Sequence, residues 1–242
     1  MKGFSFSAVI LLLATISSCK KDSAIVDLNK GLIADFRLGY TWYDTASGGV
    51  VIHKVTAVRD RKGYDFGATY FSRADSSYID FGDLPEYTLN NGGFTICFWA
   101  LPDDTFPGAV ISKRGMFGPW EFSIDNHFRR DAFNFDNWIG SGSGTVFGID
   151  PLDASAPINR QGWHFYVFKS DGEKLVCYRD GKLESGEDVK NAGKEFSDTD
   201  AHLVIGNGGG FGSNYYFQGA LDDIRIYNRA ITDDEIGLLF RN

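Results

Sequence analysis

The sequence predicts an all-β chain, folded as a two-sheet antiparallel β-sandwich with a short C-terminal helix. Short apolar runs recur along the chain, separated by Gly, Asp, Asn and Ser, and many alternate or are rich in β-branched and aromatic residues. Hydrophobic residues make up 43% of the chain and charged residues 23%, which is typical of a chain that folds around a sizeable core. Glycine, at 29 residues, is abundant, as expected of a fold with many turns.

Each apolar run is interpreted as one strand. Asp171-Gly172 and Asp180-Gly181 flank one of them, and such dipeptides favour tight hairpin turns, so a meander is predicted from Trp163 to Leu183. The predicted strands lie near 32–36, 69–71, 78–81, 94–101, 109–112, 121–124, 132–138, 146–149, 163–169, 175–179, 202–205 and 217–227.

The chain end carries the one helix that the pattern predicts. Thr232 and Glu235 have the spacing of a capping box, and Ile236, Leu239 and Phe240 follow at helical spacing. One or two turns are expected, packed at the edge of the sandwich. No repeat, Pro-rich linker or change in composition divides the chain after residue 31, so residues 31–242 are predicted to form one domain.

The N-terminus has the layout of an export signal. Lys2 precedes an apolar run over 4–16, which is shorter than the roughly 20 residues that span a bilayer. Small residues then lead to Cys19, which resembles a bacterial lipobox. We expect residues 1–18 to be a lipoprotein signal peptide, Cys19 to be acylated and 19–30 to be a flexible tether. The alternative is ordinary secretion, with Cys19 incidental.

The net charge limits the classes of partner that the chain can bind. Lys and Arg number 24 against 32 Asp and Glu, and the net charge of −8 excludes a basic nucleic-acid surface.

Cys97 and Cys177 lie in strand-like apolar runs. An exported compartment permits a disulfide between them, and the alternative is two separate buried thiols.

Four segments resemble the concanavalin A-like lectin/glucanase superfamily, and within it the laminin-G/pentraxin-like domains of bacterial surface proteins. The most specific is the run from Gly219 to Thr232, which is similar to the family ending with two aspartates, Arg, Tyr-Asn-Arg-Ala and Thr. The others are 31–36 with 44–49, 94–99 with Lys113, and 162–165 with 178–181. The resemblance implies a jelly-roll sandwich, a fold that hosts lectins, enzymes and adhesion modules.

The sequence lacks the catalytic motif of the family's glucanase branch. That branch carries Glu-x-Asp-x-(x)-Glu on one strand, and the nearest approach here is Glu121 and Asp125 with Ser123 between them. A non-catalytic role is therefore expected. A glycoside hydrolase or lyase whose catalytic residues come from distant segments stays an alternative.

Aromatic and amide residues in and beside Gly-rich segments indicate sugar binding. Aromatic rings stack on the apolar faces of sugars, while amides and carboxylates bond their hydroxyls. The predicted glycan-binding residues are Trp120, Asn134, Asp136, Trp138, Phe211, Asn214 and Tyr215. Fold family, anchor and aromatics together predict a carbohydrate-binding surface lipoprotein on the outer membrane that is part of a glycan capture system. The alternatives are a protein-adhesion domain and aromatics that only cap the sandwich ends.

The resemblance also implies one structural Ca²⁺. In this sequence the matching carboxylates are Asp44 and Asp222, with Asp60 as a further candidate. Hard cations favour such oxygen ligands. The alternative is that Asp44 caps a turn and Asp222 forms local hydrogen bonds.

Overall fold

The computed structural model shows two antiparallel β-sheets packed face to face, with one α-helix against the outside of the larger sheet. It describes residues 26–39, 50–89, 92–104, 106–114, 120–126, 133–138, 162–188, 199–208 and 215–242. The sandwich and the C-terminal helix predicted from the sequence are confirmed.

The larger sheet has eight strands in the order β12-β11-β10-β6-β14-β4-β3, with β1 also pairing with β14. The first part of β14 pairs with β4, and its second part pairs with β1. The strands are β1 Leu32–Phe36, β3 Thr56–Val58, β4 Ala68–Phe71, β6 Phe94–Pro102, β10 His164–Ser170, β11 Lys174–Arg179, β12 Lys182–Asp188 and β14 Gly219–Tyr227.

The smaller sheet has six strands in the order β2-β5-β13-β7-β8-β9. Its strands are β2 Val51–His53, β5 Tyr78–Asp80, β7 Gly108–Arg114, β8 Trp120–Asn126, β9 Phe133–Trp138 and β13 Leu203–Ile205. A short 3₁₀ helix at Pro85–Tyr87 lies between β5 and β6. Strand β9 is an edge strand, and it is the edge at which the sequence places several glycan-binding candidates.

The core lies between the two sheets and is rich in aromatic rings. Phe94, Phe98 and Phe168 of the larger sheet face Phe122 and Phe135 of the smaller one, and all five side chains are buried. Phe94 and Phe135 stack with ring centroids 5.2 Å apart. Burial of apolar area at about 25 cal/mol per Å² makes this layer the main stabilising element of the sandwich.

The predicted meander is confirmed as β10, β11 and β12. At its second turn Asp180 and Gly181 both have positive φ, +51° and +75°, which is the left-handed backbone that a two-residue hairpin turn requires. Strand β12 continues past Leu183, where the predicted meander ended, to Asp188.

The helix α1, Asp233–Arg241, begins at the predicted capping box. The Glu235 backbone N–H donates to Thr232 Oγ1 at 3.2 Å, and the Thr232 N–H donates to the Glu235 carboxylate at 2.6 Å. Ile236 and Leu239 are buried against Trp99, Phe165 and their neighbours on the outer face of the larger sheet. We refer to the buried residues of this layer as the outer cluster, which consists of Cys97, Trp99, Phe165, Val167, Tyr178, Tyr227, Ile231, Ile236 and Leu239.

The two cysteines lie on opposite faces of the larger sheet. Cys177 belongs to the core between the sheets, and Cys97 belongs to the outer cluster. Cys97 pairs in register with Val167, whereas Cys177 pairs with the next residue, Phe168. Because neighbouring residues of a strand point to opposite faces, the thiols stay apart, and both are free and buried. The alternative of two separate buried thiols is confirmed.

Some elements differ from the prediction. Strands β2 and β3 were not predicted, because each has three residues and, unlike β5 and β13, which are equally short, contains no buried residue to mark an apolar face. Strand β14 begins at Gly219 rather than at 217. The predicted strand at 146–149 lies outside the described residues.

At the N-terminal end, the residues described from 26 onwards contact the domain. Leu28 packs on the outer cluster, and the Lys30 carbonyl accepts the Arg229 Nε–H at 2.7 Å. Cys19 lies outside the described residues, so the anchor and the boundaries around it stay predictions. No helix in the described part of the chain is long and apolar enough to cross a membrane.

Candidate functional site

Four of the predicted glycan-binding residues occupy the paired strands β8 and β9 at one edge of the smaller sheet. Trp120 and Trp138 are register partners. Asn134 is opposite Asp125, and Asp136 is opposite Ser123. The strand pairing therefore brings together backbone positions that the sequence analysis took from separate segments.

Tyr215 joins this edge from a distant part of the chain. Its hydroxyl donates to Asp125 Oδ2 at 3.1 Å, and its half-buried ring lies 5.6 Å from the guanidinium carbon of Arg114. Asp125 is thus bonded by Tyr215 and is also the register partner of Asn134. The remaining predicted residues, Phe211 and Asn214, lie outside the described residues.

A polar network that the sequence analysis missed supports Tyr215. Ser123 Oγ donates to Asp125 Oδ1, and an Arg114 Nη atom lies 3.8 Å from Asp125 Oδ2. The side chains of Arg114 and Asp125 are both nearly fully buried. A signal was present in the sequence, because Glu121, Ser123 and Asp125 alternate with the core residues Phe122 and Ile124. We refer to Arg114, Ser123, Asp125 and Tyr215 as the Tyr215 network.

The carboxylates of β8 do not form a glycosidase pair. Glu121 and Asp125 are four residues apart on one extended strand, a separation of roughly 13 Å. Retaining glycosidases need about 5–5.5 Å between the two carboxylates, and inverting ones about 6.5–9.5 Å. Each is also engaged elsewhere, Asp125 by Tyr215 and Glu121 by Lys113. This pair therefore lacks the geometry of glycoside hydrolysis.

A buried ion pair holds the start of β8. The side chains of Lys113 and Glu121 are both 0% exposed and are bonded to each other, and Asp83 lies 3.0 Å from the Lys113 ammonium. Burial lowers the pKa of Lys113, but hydrogen bonds and charge from Glu121 and Asp83 outweigh burial and raise it above its ordinary value. Glu121 also accepts the Thr199 backbone N–H at 3.0 Å. The pair thus ties β7 and β8 to two neighbouring loops.

The described calcium candidates already have partners. Asp222 and Asp223 share the guanidinium of Arg61, whose contact to Asp223 is 2.8 Å. Asp60 Oδ1 accepts the backbone N–H groups of Lys62 and Tyr64 at 2.9 and 2.8 Å. No group of three or more His, Cys, Asp or Glu suited to a metal occurs among the described residues.

Asp44 lies outside the described residues, so calcium on Asp44, Asp60 and Asp222 stays a prediction. Asp222 itself sits in a β-bulge of β14, where the register to β6 shifts after Asp222 and Asp223 has φ +44°. Burial first, and the neighbouring Asp223 second, raise the pKa of Asp222 to about 7, although Arg61 acts in the opposite direction.

Comparison with known proteins agrees with this architecture. The family model described as the concanavalin A-like lectin/glucanases superfamily (Laminin_G_3) matches residues 73–237. No match was found among curated proteins.

Among solved structures, the binding domain of Paraclostridial Mosquitocidal Protein 1 has a TM-score of 0.66 at 16% identity, over 88% of this chain and 52% of that one. The receptor binding domain of botulinum neurotoxin D has a TM-score of 0.61 at 11% identity, over 89% and 53%. The chain therefore spans about half of these toxin domains.

A third similar structure is domain 4 of AbnA, an extracellular arabinanase from Geobacillus stearothermophilus, solved in complex with arabinotriose. Its TM-score is 0.60 at 15% identity, over 79% of this chain and 88% of that one. At such identities these likenesses show a shared fold.

Proposed function

Because the chain belongs to the concanavalin A-like lectin/glucanase superfamily, we propose that it is a non-catalytic carbohydrate-binding lipoprotein of the cell envelope. Its ligand is a polysaccharide or oligosaccharide that lies along the β8–β9 edge of the smaller sheet. Tyr215 supplies the aromatic face, and Asn134 and Asp136 supply polar groups from the strand positions that pair with Asp125 and Ser123. The same fold carries unrelated functions in other proteins, so the proposal depends on this site.

The observation that carries the proposal is the Tyr215 network. A tyrosine ring held by a buried carboxylate and lying over a buried guanidinium is fixed before any ligand arrives, which reduces the free-energy cost of ordering it on binding. Sugar recognition uses such a fixed ring for stacking, together with amides or carboxylates that bond the hydroxyls. The arabinanase domain, which has the same fold, was solved with arabinotriose.

Binding to a glycan array, followed by calorimetry on the strongest hit, tests the site. In the Tyr215→Ala variant we expect affinity to fall about ten-fold, because loss of one stacking ring removes on the order of 1 kcal/mol or more. The control is Tyr78→Ala, which removes a half-buried tyrosine near the opposite edge of the same sheet, where Tyr78 stacks on His53. Equal affinities for the wild type and Tyr215→Ala, in a chain that stays folded, contradict the site.

The array also separates the alternatives. A chain that binds no glycan but captures a protein partner is an adhesion domain. Release of reducing sugar from a polysaccharide panel identifies a hydrolase. Either result replaces the proposal.

The membrane anchor is a separate part of the proposal and has its own test. In cells fed a radiolabelled fatty acid, we expect the full-length chain to incorporate label and to fractionate with the envelope, since acyl chains bury apolar CH₂ groups in the bilayer. Cys19→Ser removes the acylated thiol, so the label and the envelope fraction are expected to be lost. Cys97→Ser, which alters a buried thiol of the domain, is the control. Labelling that persists in Cys19→Ser contradicts the anchor.

A further inference from the structure

An open cleft lies on the outer face of the larger sheet, beside the C-terminal end of α1. It consists of two adjoining cavities of about 260 and 300 Å³, which share Arg37, Arg61, Lys62 and Asp223. Each is close to the lower end of the range for small-molecule sites, about 300–1,000 Å³. The cleft belongs to the opposite sheet from β8 and β9.

The loop between β3 and β4 forms one wall, and its own hydrogen bonds hold its shape. Asp60 accepts the backbone N–H groups of Lys62 and Tyr64, and its own N–H donates to the Tyr64 carbonyl at 3.0 Å. The Arg61 side chain lies between the carboxylates of β14 and the Trp99 ring. Its guanidinium carbon is 4.7 Å from the centroid of that ring. The backbone of Lys62 and Tyr64 is therefore placed in advance of any ligand.

The same loop presents two aromatic rings at the mouth of the cleft. Tyr64 is 68% exposed and Phe66 is 54% exposed. Phe66 has φ +63°, a left-handed backbone that is unfavourable for an aromatic residue. Strained backbone of this kind concentrates at ligand sites, where the surrounding structure maintains it.

Two cationic side chains that line both cavities, Arg37 and Lys62, are exposed to solvent. Arg37 and Arg225 both donate their Nε–H groups to one carboxylate, Asp35, at 3.0 Å each. The Arg37 side chain is 71% exposed. Lys62 forms no ion pair with any residue that the structure describes.

From these observations we propose that the cleft binds an acidic saccharide unit, whose carboxylate or sulfate lies at Lys62 and Arg37 and whose ring lies against Tyr64. Charge-assisted hydrogen bonds from an ammonium and a guanidinium select the anion. The exposed tyrosine ring selects a sugar over a small inorganic ion. The proposal goes beyond the β8–β9 function, because it concerns different residues on the other sheet.

Calorimetry on the full-length chain at low salt tests the cleft with three probes: tri-galacturonate, a sulfated disaccharide and neutral arabinotriose. At least one acidic probe is expected to bind, with an affinity that falls as salt is added. Lys62→Ala and Tyr64→Ala are each expected to weaken this binding about five-fold or more. Lys182→Ala, an exposed lysine on β12 at the far edge of the same sheet, is the matched control and leaves it unchanged.

The outcomes separate this proposal from the β8–β9 site. Binding of the uronate or of the sulfated probe supports it and identifies the acidic group. Two results overturn it: neither acidic probe binds, or acidic binding is the same in Lys62→Ala and Tyr64→Ala as in the wild type. Acidic binding that is lost in Tyr215→Ala but kept in Lys62→Ala also overturns it, while the β8–β9 site stands.

Discussion

Arg61→Ala is expected to lower the free energy of unfolding by about 3–5 kcal/mol, measured by chemical denaturation at pH 8. Arg61 is 9% exposed and is bonded to both Asp222 and Asp223, and Asp222 is 4% exposed. Removal of the guanidinium leaves two neighbouring carboxylates without a counter-charge. The variant also loses the cation–π contact of Arg61 with Trp99.

A surface ion pair in the same loop provides the control. Arg59 pairs with Asp65 at 2.8 Å, but these side chains are 68% and 66% exposed. Water screens such a pair, so Arg59→Ala is expected to cost less than about 1 kcal/mol. If Arg59→Ala and Arg61→Ala lower the free energy of unfolding equally, burial does not determine what the ion pair contributes to stability.

The decrease in the free energy of unfolding that Arg61→Ala causes is expected to depend on pH. The pKa of Asp222 is raised to about 7 in the folded chain, above its ordinary value of 3.8, because burial and Asp223 disfavour the charged form. The folded state therefore holds this proton more tightly than the unfolded state, and stability falls as pH rises from about 4 to 7. Without Arg61 the charged form is less favourable still. The difference between the wild type and Arg61→Ala should accordingly shrink as pH falls from 8 to 5.

Lys113→Ala is expected to lower the free energy of unfolding by a similar amount, about 3–5 kcal/mol. The variant leaves Glu121 buried at 0% exposure without its ammonium partner, and it breaks the link to Asp83 and to the Thr199 carbonyl. Because Glu121 lies near the start of β8, the strand that carries Asp125, the variant should also weaken glycan binding at the Tyr215 network. Denaturation and calorimetry measure the two effects.

A double variant separates two effects of Lys113→Ala: the cost of leaving the Glu121 carboxylate buried without a partner, and the loss of the attraction between Lys113 and Glu121. In Lys113→Met with Glu121→Leu both buried charges are removed, and apolar side chains of similar size replace them. We expect this chain to be more stable than Lys113→Ala, since a buried pair gains little over apolar packing. A double variant that is less stable than Lys113→Ala contradicts this explanation.

Features set by local chemistry were predictable from the sequence. The capping box at Thr232 and the turn at Asp180-Gly181 each involve residues within a few positions of each other, and both occur as predicted. Apolar alternation likewise predicted most strands. Both unpredicted strands, β2 and β3, are three-residue edge strands without a buried residue.

The site was predictable only in part, because its contacts join distant segments. Gly-rich and aromatic patterns indicated β9 and Tyr215, but nothing local shows that Tyr215 reaches Asp125, 90 residues away. The bond between Arg61 and Asp222 spans 161 residues. The resemblance to the superfamily implies a calcium ligand at Asp222, whereas its arginine partner becomes visible only in the folded chain.

The central claim is that a saccharide lies along the β8–β9 edge with Tyr215. Amide hydrogen exchange of the full-length chain, with and without the saccharide that binds most tightly on the array, tests it directly. We expect slower exchange on saturation in β8, in β9 and around Tyr215, and unchanged exchange in α1 and in the β10–β12 meander. Protection confined to any other part of the sandwich, with β8 and β9 unchanged, contradicts it.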